Sequence, residues 1–181
     1  GRGANVDHKT YGPLWASGHI GSNDIIFIGT DPVKYPANAW KVVKKINLPG
    51  EGGGNLFVKT HPNSQYIFAD RPVHPDRKLQ TSIYVIDKDK LEIVKTIQIP
   101  EKYLPSVKVG EKVVESRGPV HFEFNADGTE VWTSIWGNKE VASAILIYDA
   151  KTLELKSVIE DPRIKTPTGK FNVTNTMKDV Y

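Results

Sequence analysis

Five residues of this chain have the side-chain types that hold a flat, anionic, aromatic ligand. Phe57 and His121 stand 64 residues apart, at matching places in two similar segments. A guanidinium, an imidazole, aromatic rings and an open glycine around one axis would offer charge, hydrogen bonds and stacking surfaces. The five residues are Arg2, Phe57, His121, Trp136 and Gly169. The plainer interpretation, that they are core and turn residues, stays open on pattern alone.

Of the other four histidines, His8 and His61 are predicted to have structural roles. His8 and His61 hold equivalent positions at predicted hairpin turns, whereas His19 and His74 lie in predicted loops. His121 differs, because it lies within a predicted innermost strand.

Other motifs of chemistry are weak. The pairs Asp70/Asp76 and Asp87/Asp89 lack calcium-loop spacing and are predicted to be turn residues. The glycine-rich segment 50–54 precedes a strand rather than joining a strand to a helix, so it is predicted to be a flexible strand entry and not a dinucleotide site. No hydrolase elbow, zinc-peptidase motif or complete phosphate loop occurs, and no metal site is predicted.

The elements that must position these residues come from an internal repeat. Four similar segments begin at Gly1, Gly54, Gly118 and Gly169, separated by steps of 53, 64 and 51 residues. Repeats with periods of this size indicate solenoids, propellers or arrays.

Each repeat predicts four strands. In the two middle units, the turn dipeptides Asn63-Ser64 and Asp127-Gly128 join the first two strands as hairpins. The third and fourth strands are predicted at 82–87 and 92–97 in one unit, and at 144–149 and 154–159 in the next. The third strands lack strict alternation and are rich in Ile, Val, Leu and Tyr, whereas the fourth strands alternate apolar and polar residues, as buried and solvent-facing strands should. The predicted fold is all-β, a β-propeller of four-stranded antiparallel blades.

The blade count is incomplete. The last unit stops at Tyr181 inside its second strand, so residues 1–181 contain a little more than three blades in one domain. Propellers close with about four to eight blades. A partial propeller is therefore expected, with the remaining blades as partners.

Composition excludes several classes of protein. A net charge of +3 with lysines on outer strands and turns gives little support for nucleic-acid binding. The chain has no cysteine, which excludes disulfides and a Cys-x-x-Cys-His haem attachment within it. No apolar run is long enough to span a bilayer.

Longer strings give a resemblance to one family, the cytochrome cd1 nitrite reductases. They run in order along nearly the whole chain: Gly1-Arg2-Gly3-Ala4-Asn5, Ile28-Gly29-Thr30-Asp31-Pro32, Asn38-Ala39-Trp40-Lys41, Lys59-Thr60-His61-Pro62-Asn63-Ser64-Gln65-Tyr66, Asp127-Gly128-Thr129-Glu130-Val131-Trp132 and Thr166-Pro167-Thr168-Gly169-Lys170-Phe171-Asn172-Val173. The chain resembles the C-terminal part of the haem d1 domain.

The resemblance implies an eight-bladed propeller that holds haem d1 in its channel. In that family nitrite is reduced to nitric oxide in the periplasm, with an electron from a c-type haem, as a step of denitrification. A small periplasmic electron-donor protein and a homodimeric parent are also implied.

Site residues carry over by position. Arg2 matches an arginine near the haem's acidic substituents, Phe57 and Trp136 match pocket aromatics, and Gly169 matches a glycine against the macrocycle. His121 departs from the glutamine usual in the family and is expected to alter hydrogen bonding at the haem edge.

The family's catalytic groups are expected outside this chain. Its distal histidines, proximal haem ligand and c-haem domain all correspond to positions before Gly1, so the catalytic residues are unknown here and the isolated chain is expected to be inactive. Two alternatives stay open, a haem d1 biosynthesis or carrier protein and a non-enzymatic binding propeller.

Overall fold

The computed structural model describes residues 3–164 together with 171 and 173, and it shows blades. Within them the chain forms three four-stranded antiparallel sheets and one two-stranded hairpin. Each four-stranded sheet pairs its strands in chain order, which is the connectivity of a propeller blade. The all-β propeller prediction is confirmed.

The strands and helices are as follows. Blade 1 contains β1 (Ala4–His8), β2 (Gly12–Gly18), β3 (Asp24–Gly29) and β4 (Val42–Asn47). Blade 2 contains β5 (Val58–Thr60), β6 (Tyr66–Ala69), helix α1 (Arg77–Gln80), β7 (Ser82–Asp87) and β8 (Glu92–Gln98). A 3₁₀ turn (Glu101–Tyr103) and a hairpin of β9 (Ser106–Val109) and β10 (Lys112–Glu115) lead to blade 3. Blade 3 contains β11 (Pro119–Phe124), β12 (Glu130–Ile135), β13 (Ala144–Asp149) and β14 (Leu155–Glu160).

The predicted strands agree closely with the observed ones. The third strands β7 and β13 have the predicted bounds, and the fourth strands differ from prediction by one residue. In the turns that follow β7 and β13, the last aspartate of the strand, Asp87 or Asp149, accepts two backbone N–H groups of the turn. Asp87 accepts backbone N–H bonds from Asp89 and Lys90, which confirms Asp87 as a turn residue.

The apolar core lies between the blades. One cluster joins blades 1 and 2, with Phe27 and Ile25 packed among residues such as Ile67 and Tyr84. A second cluster joins blades 2 and 3, where Phe68 packs with Phe122. Because both clusters lie between facing blades, burial of these apolar side chains stabilises the stacking of the blades.

The first strands of the three blades are the innermost strands, and they lie side by side. β1, β5 and β11 contact one another in succession, whereas the outer strands β8 and β14 are largely exposed. The residues near the start of β5 and β11 are therefore brought together.

The face of blade 1 that points away from blade 2 is open. Trp15, Ile28 and Val42 are cross-strand neighbours on this face, and Trp15 exposes 41% of its surface. We call this face of blade 1, with Trp15, Ile28 and Val42, the open face.

Two features were not predicted from the sequence. Helix α1 is a single turn capped by the side chain of Asp76, which accepts the N–H of Leu79. The β9–β10 hairpin lies in the connection from β8 to β11 and exposes Val109 and Val113. Among the described residues, none of the helices has the length and apolar character needed to cross a membrane.

Candidate functional site

Phe57 and His121 form the centre of the candidate site. Phe57 immediately precedes β5, and His121 lies in β11 of the next blade. Their rings meet edge to face, with centroids 4.9 Å apart and planes at 83°. The repeat register placed these two residues at matching positions, and the structure brings them together across the seam between blades 2 and 3.

His121 occupies a bulge of β11. Val120 pairs with Ser134 and Phe122 pairs with Thr133, so His121 has no ladder partner between them. Its φ of 61° lies in the left-handed region, which is unfavourable for a side chain with a Cβ. Bulges re-aim side chains and occur beside active sites. The bulge is the local reason why the imidazole leaves the alternation of the strand.

The imidazole of His121 is buried among polar groups. Nε2 lies 2.8 Å from Oε1 of Glu123 and 3.1 Å from the backbone oxygen of Phe171. Oε1 is close to Nε2 but has no aligned hydrogen-bond donor, so the pair is a close polar contact and not a hydrogen bond. The second carboxylate oxygen, Oε2, lies 3.4 Å from the ammonium of Lys59.

Two atoms of this cluster have their hydrogen-bonding capacity unused in the described structure. Nδ1 of His121 and Oε1 of Glu123 are buried and have no hydrogen-bond partner there. Both side chains are only 1% exposed. Because an unsatisfied buried polar atom is costly, a histidine with one unpaired nitrogen is a candidate for a ligand contact.

Asp70 is a site residue that the sequence did not reveal. Its carboxylate is fully buried, and its Oδ1 accepts the backbone N–H groups of Leu56 and Phe57 at 2.9 Å each. Its Oδ2 accepts the N–H of His121 at 3.1 Å. Burial raises the pKa of Asp70 to about 7, although the three N–H donors oppose this shift.

The prediction that Asp70 is a turn residue is therefore wrong. Asp70 follows β6 directly, and its side chain turns inward to reach backbone groups of two blades. The one sequence signal was its place in the repeat, where the next unit has Ser134, whose hydroxyl donates to the carbonyl of Val120.

Trp136 lies just beyond β12, at the entrance to β11. The backbone N–H of Trp136 donates to the carbonyl of Gly118, and the backbone carbonyl of Trp136 accepts the backbone N–H of Arg117. The guanidinium of Arg117 lies over the indole, 4.7 Å from the ring centroid, while the indole is half-buried. Arg117 thus adds a cation beside Trp136 that the sequence reading did not single out.

The glycine-rich segment before β5 is held firmly, which corrects the prediction of a flexible strand entry. The guanidinium of the fully buried Arg71 donates to the carbonyls of Pro49, Glu51, Gly52 and Gly53. His74 adds a contact of 2.9 Å between Nε2 and the carbonyl of Glu51. These hydrogen bonds fix the backbone of residues 49–53, which leads to Phe57.

Two histidines hold hairpin turns, in agreement with their predicted structural role. Nδ1 of His8 accepts the N–H groups of Thr10 and Tyr11, and Nδ1 of His61 accepts the N–H of Asn63. Neither is needed to explain the candidate site.

Two predicted site residues, Arg2 and Gly169, lie outside the described residues. Of the predicted site residues within the described chain, the structure brings Phe57 and His121 into contact, with Asp70 and Glu123 beside them. Trp136 contacts Arg117 just before β11, and no hydrogen bond or ring contact joins it to the ring pair within the described residues. Together these groups provide aromatic surfaces, one imidazole nitrogen without a partner in the described structure and one exposed guanidinium. These groups suit a flat ligand with acidic substituents.

Comparisons with known proteins identify the family of the chain. The family model described as the Cytochrome D1 heme domain matches residues 1–176. A nitrite reductase from Stutzerimonas stutzeri is 46% identical over 189 aligned residues, which cover 100% of this chain and 32% of that protein. The chain thus spans about a third of the length of this curated relative.

A solved structure has a similar fold. Dihydro-heme d1 dehydrogenase NirN, in complex with DHE, superposes with a TM-score of 0.62 at 24% identity, over 87% of this chain and 27% of that one. At this identity the likeness concerns the fold alone.

Proposed function

Because the chain belongs to the cytochrome d1 haem domain family, we propose that it forms the C-terminal part of a propeller that binds haem d1, within a parent protein that reduces nitrite to nitric oxide. The similarity to a nitrite reductase along the whole chain is the observation that carries the proposal. The paired rings of Phe57 and His121 at the inner wall support it from the geometry.

The described residues fit a haem d1 group. Phe57 and Trp136 offer faces for a flat macrocycle, and the free Nδ1 of His121 offers a polar contact at its edge. Arg117 and Arg2 would pair with the acidic substituents of the haem, and Gly169 would let the backbone approach the macrocycle closely.

The chemistry divides between the cofactor and the protein. Bound haem d1 would supply the iron and the electron-poor macrocycle at which nitrite takes up one electron and two protons to give nitric oxide and water. The residues of this chain would hold and orient the ring, exclude water through the blade seam, and contribute positive charge. The proton donors are proposed to lie in other parts of the parent, so the isolated chain would have no activity.

We place the parent in the periplasm, as a homodimer that receives electrons from a small donor protein through a c-type haem, in denitrification. The remaining blades of the propeller would be the first partners of this chain. The open face, with Trp15 exposed, is a surface on which a neighbouring blade would pack.

The test is an absorption spectrum of the full-length parent, as isolated and after reduction with dithionite, followed by addition of nitrite. Separate c-type and d1-type bands with release of nitric oxide are expected. Bands of haem d1 without turnover would reassign the parent to haem d1 biosynthesis or transport. Failure of the folded parent to bind any haem would leave a non-enzymatic binding propeller.

A further inference from the structure

We infer that Asp70 is the positioning residue of this site, a carboxylate of blade 2 that holds the His121 imidazole of blade 3 in its ligand-facing arrangement. The inference deepens the proposed function, because it takes haem d1 as the ligand that the imidazole meets.

One carboxylate fixes both halves of the ring pair. Oδ1 of Asp70 binds the backbone of its own blade at Phe57, and Oδ2 binds the backbone of the next blade at His121. Asn55 adds support, since its side-chain amide donates to the backbone carbonyl of Asp70 at 2.7 Å. A single side chain therefore bonds the backbone at both of the residues whose rings meet at 4.9 Å.

The conformation of His121 requires such a clamp. A bulge residue with positive φ is strained and persists only where its surroundings hold it. The bulge removes the N–H of His121 from the sheet ladder, and Asp70 supplies the acceptor that this buried N–H needs. Without the acceptor, we expect β11 to relax toward regular pairing, which would turn the imidazole to the other face.

Within the described chain, three charged side chains lie close to Asp70 and His121 or next to them in sequence. Glu123 of β11 contacts the imidazole, and Lys59 of β5 contacts Glu123. Arg71 follows Asp70 in sequence, but its guanidinium is bound to the carbonyls of the glycine-rich segment. All three groups that hydrogen-bond Asp70 from the backbone are donors, so they match an ionised carboxylate.

Protonation of Asp70 would weaken the clamp, because a proton on Oδ2 opposes the N–H of His121. Burial raises the pKa of Asp70 to about 7. The position of the imidazole is therefore expected to depend on pH near neutrality.

The experiment compares three variants of the full-length parent, Asp70→Asn, His121→Gly and the double variant. Asparagine keeps the size of the side chain and one acceptor oxygen, but its NH₂ group faces a donor on one side. Glycine removes the imidazole and accepts positive φ without strain. Asp76→Asn is the matched control, since asparagine also caps helices well.

Two readouts are measured, haem d1 affinity by absorption titration and amide-resolved hydrogen exchange of the apo-protein. Asp70→Asn is expected to weaken haem d1 binding about tenfold, the order for one lost hydrogen bond, and to accelerate exchange at the His121 amide. In the His121→Gly background the same substitution should cost no further affinity. If Asp70→Asn lowered haem d1 affinity equally with and without the imidazole, the inference would be overturned. Unchanged hydrogen exchange at the His121 amide in Asp70→Asn would also overturn it.

If Asp70→Asn fails to fold, the unmodified protein still decides. Exchange at the His121 amide, corrected for the intrinsic rate, should accelerate as pH falls through 7, and the Phe122 amide serves as reference. Constant protection of His121 from about pH 8 down to about pH 4, a range that spans the raised pKa of the carboxyl and extends close to its ordinary value of 3.8, would overturn the role of Asp70. The exchange readout needs no cofactor, so failure of the parent to bind haem d1 would refute the proposed function without deciding this one.

Discussion

The backbone N–H of His121 in one blade donates to Oδ2 of Asp70 in the neighbouring blade, over 3.1 Å. This bond joins the residue that follows the second strand of blade 2 to the innermost strand of blade 3. It satisfies the N–H that the β11 bulge removes from the ladder, and it stands next to the edge-to-face pair of Phe57 and His121. The seam between two blades is thus where the polar and aromatic groups of the candidate site converge.

Stability should fall as pH rises because of Asp70. Its pKa is raised from an ordinary value of 3.8 to about 7 in the fold. The folded state therefore binds the proton more tightly than the unfolded state, and this group's contribution is fully present below about pH 4 and lost as pH rises through 7. Each unit of difference corresponds to about 1.4 kcal/mol.

Urea unfolding of the apo-parent across this range checks the prediction. The free energy of unfolding of the wild type should decline relative to that of Asp70→Asn between about pH 4 and pH 7. Parallel pH profiles for the two proteins would show that Asp70 does not titrate in this window.

Repeat register predicted more of this structure than any single motif did. The third strands β7 and β13 could be located because buried strands of Ile, Val and Tyr repeat at a fixed spacing. The same register placed Phe57 and His121 at matching positions, and the structure places them in contact.

The rest depends on how blades approach one another. The bulge at His121 leaves no clear mark in local composition, since residues 119–124 contain no glycine, the usual residue at a strand position with positive φ. Asp70 and Arg71 were missed because their partners are backbone groups, which a sequence does not distinguish by residue type. Hydrogen bonds to the backbone across a seam follow only from three-dimensional packing.

Arg71→Lys should destabilise the parent by about 2–4 kcal/mol. The guanidinium spans the carbonyls of Pro49, Glu51 and Gly53 in one plane, a geometry that a single ammonium cannot reproduce. Chemical unfolding measures the loss, and hydrogen exchange should rise over residues 49–56. Arg163→Lys, at an exposed ion pair, is the control and should leave both unchanged. Equal effects of the two substitutions would refute the structural role of Arg71.

Glu123→Ala should lower the free energy of unfolding by about 3 kcal/mol, because it removes a buried carboxylate from both the imidazole of His121 and the ammonium of Lys59. Glu130→Ala breaks a more exposed pair with Lys156 and should have a small effect. Thermal and urea unfolding of both variants provide the comparison. If Glu123→Ala were as stable as Glu130→Ala, the contacts of Glu123 would contribute little to the seam.

Trp136→Ala should weaken haem d1 binding by the full-length parent about tenfold, since it removes a stacking face and frees the guanidinium of Arg117 from its place over the indole. Absorption titration of the apo-parent measures the affinity. Trp40→Ala is the matched control, because Trp40 is 71% exposed in the connection between β3 and β4. Similar losses in the two variants would count against a place for Trp136 in the ligand site.

The isolated 181-residue chain should self-associate through the open face of blade 1. Trp15, Ile28 and Val42 form a cross-strand apolar row there, and Trp15 exposes 41% of its surface. Light scattering of the isolated chain should show oligomers that Trp15→Ser reduces, because serine removes the largest apolar side chain of the row. Val94→Ser, on the outer strand β8 of blade 2, is the control and should leave the size distribution unchanged. A monodisperse monomer would show that the open face is not adhesive at the concentrations used, and equal effects of the two substitutions would place the contact elsewhere.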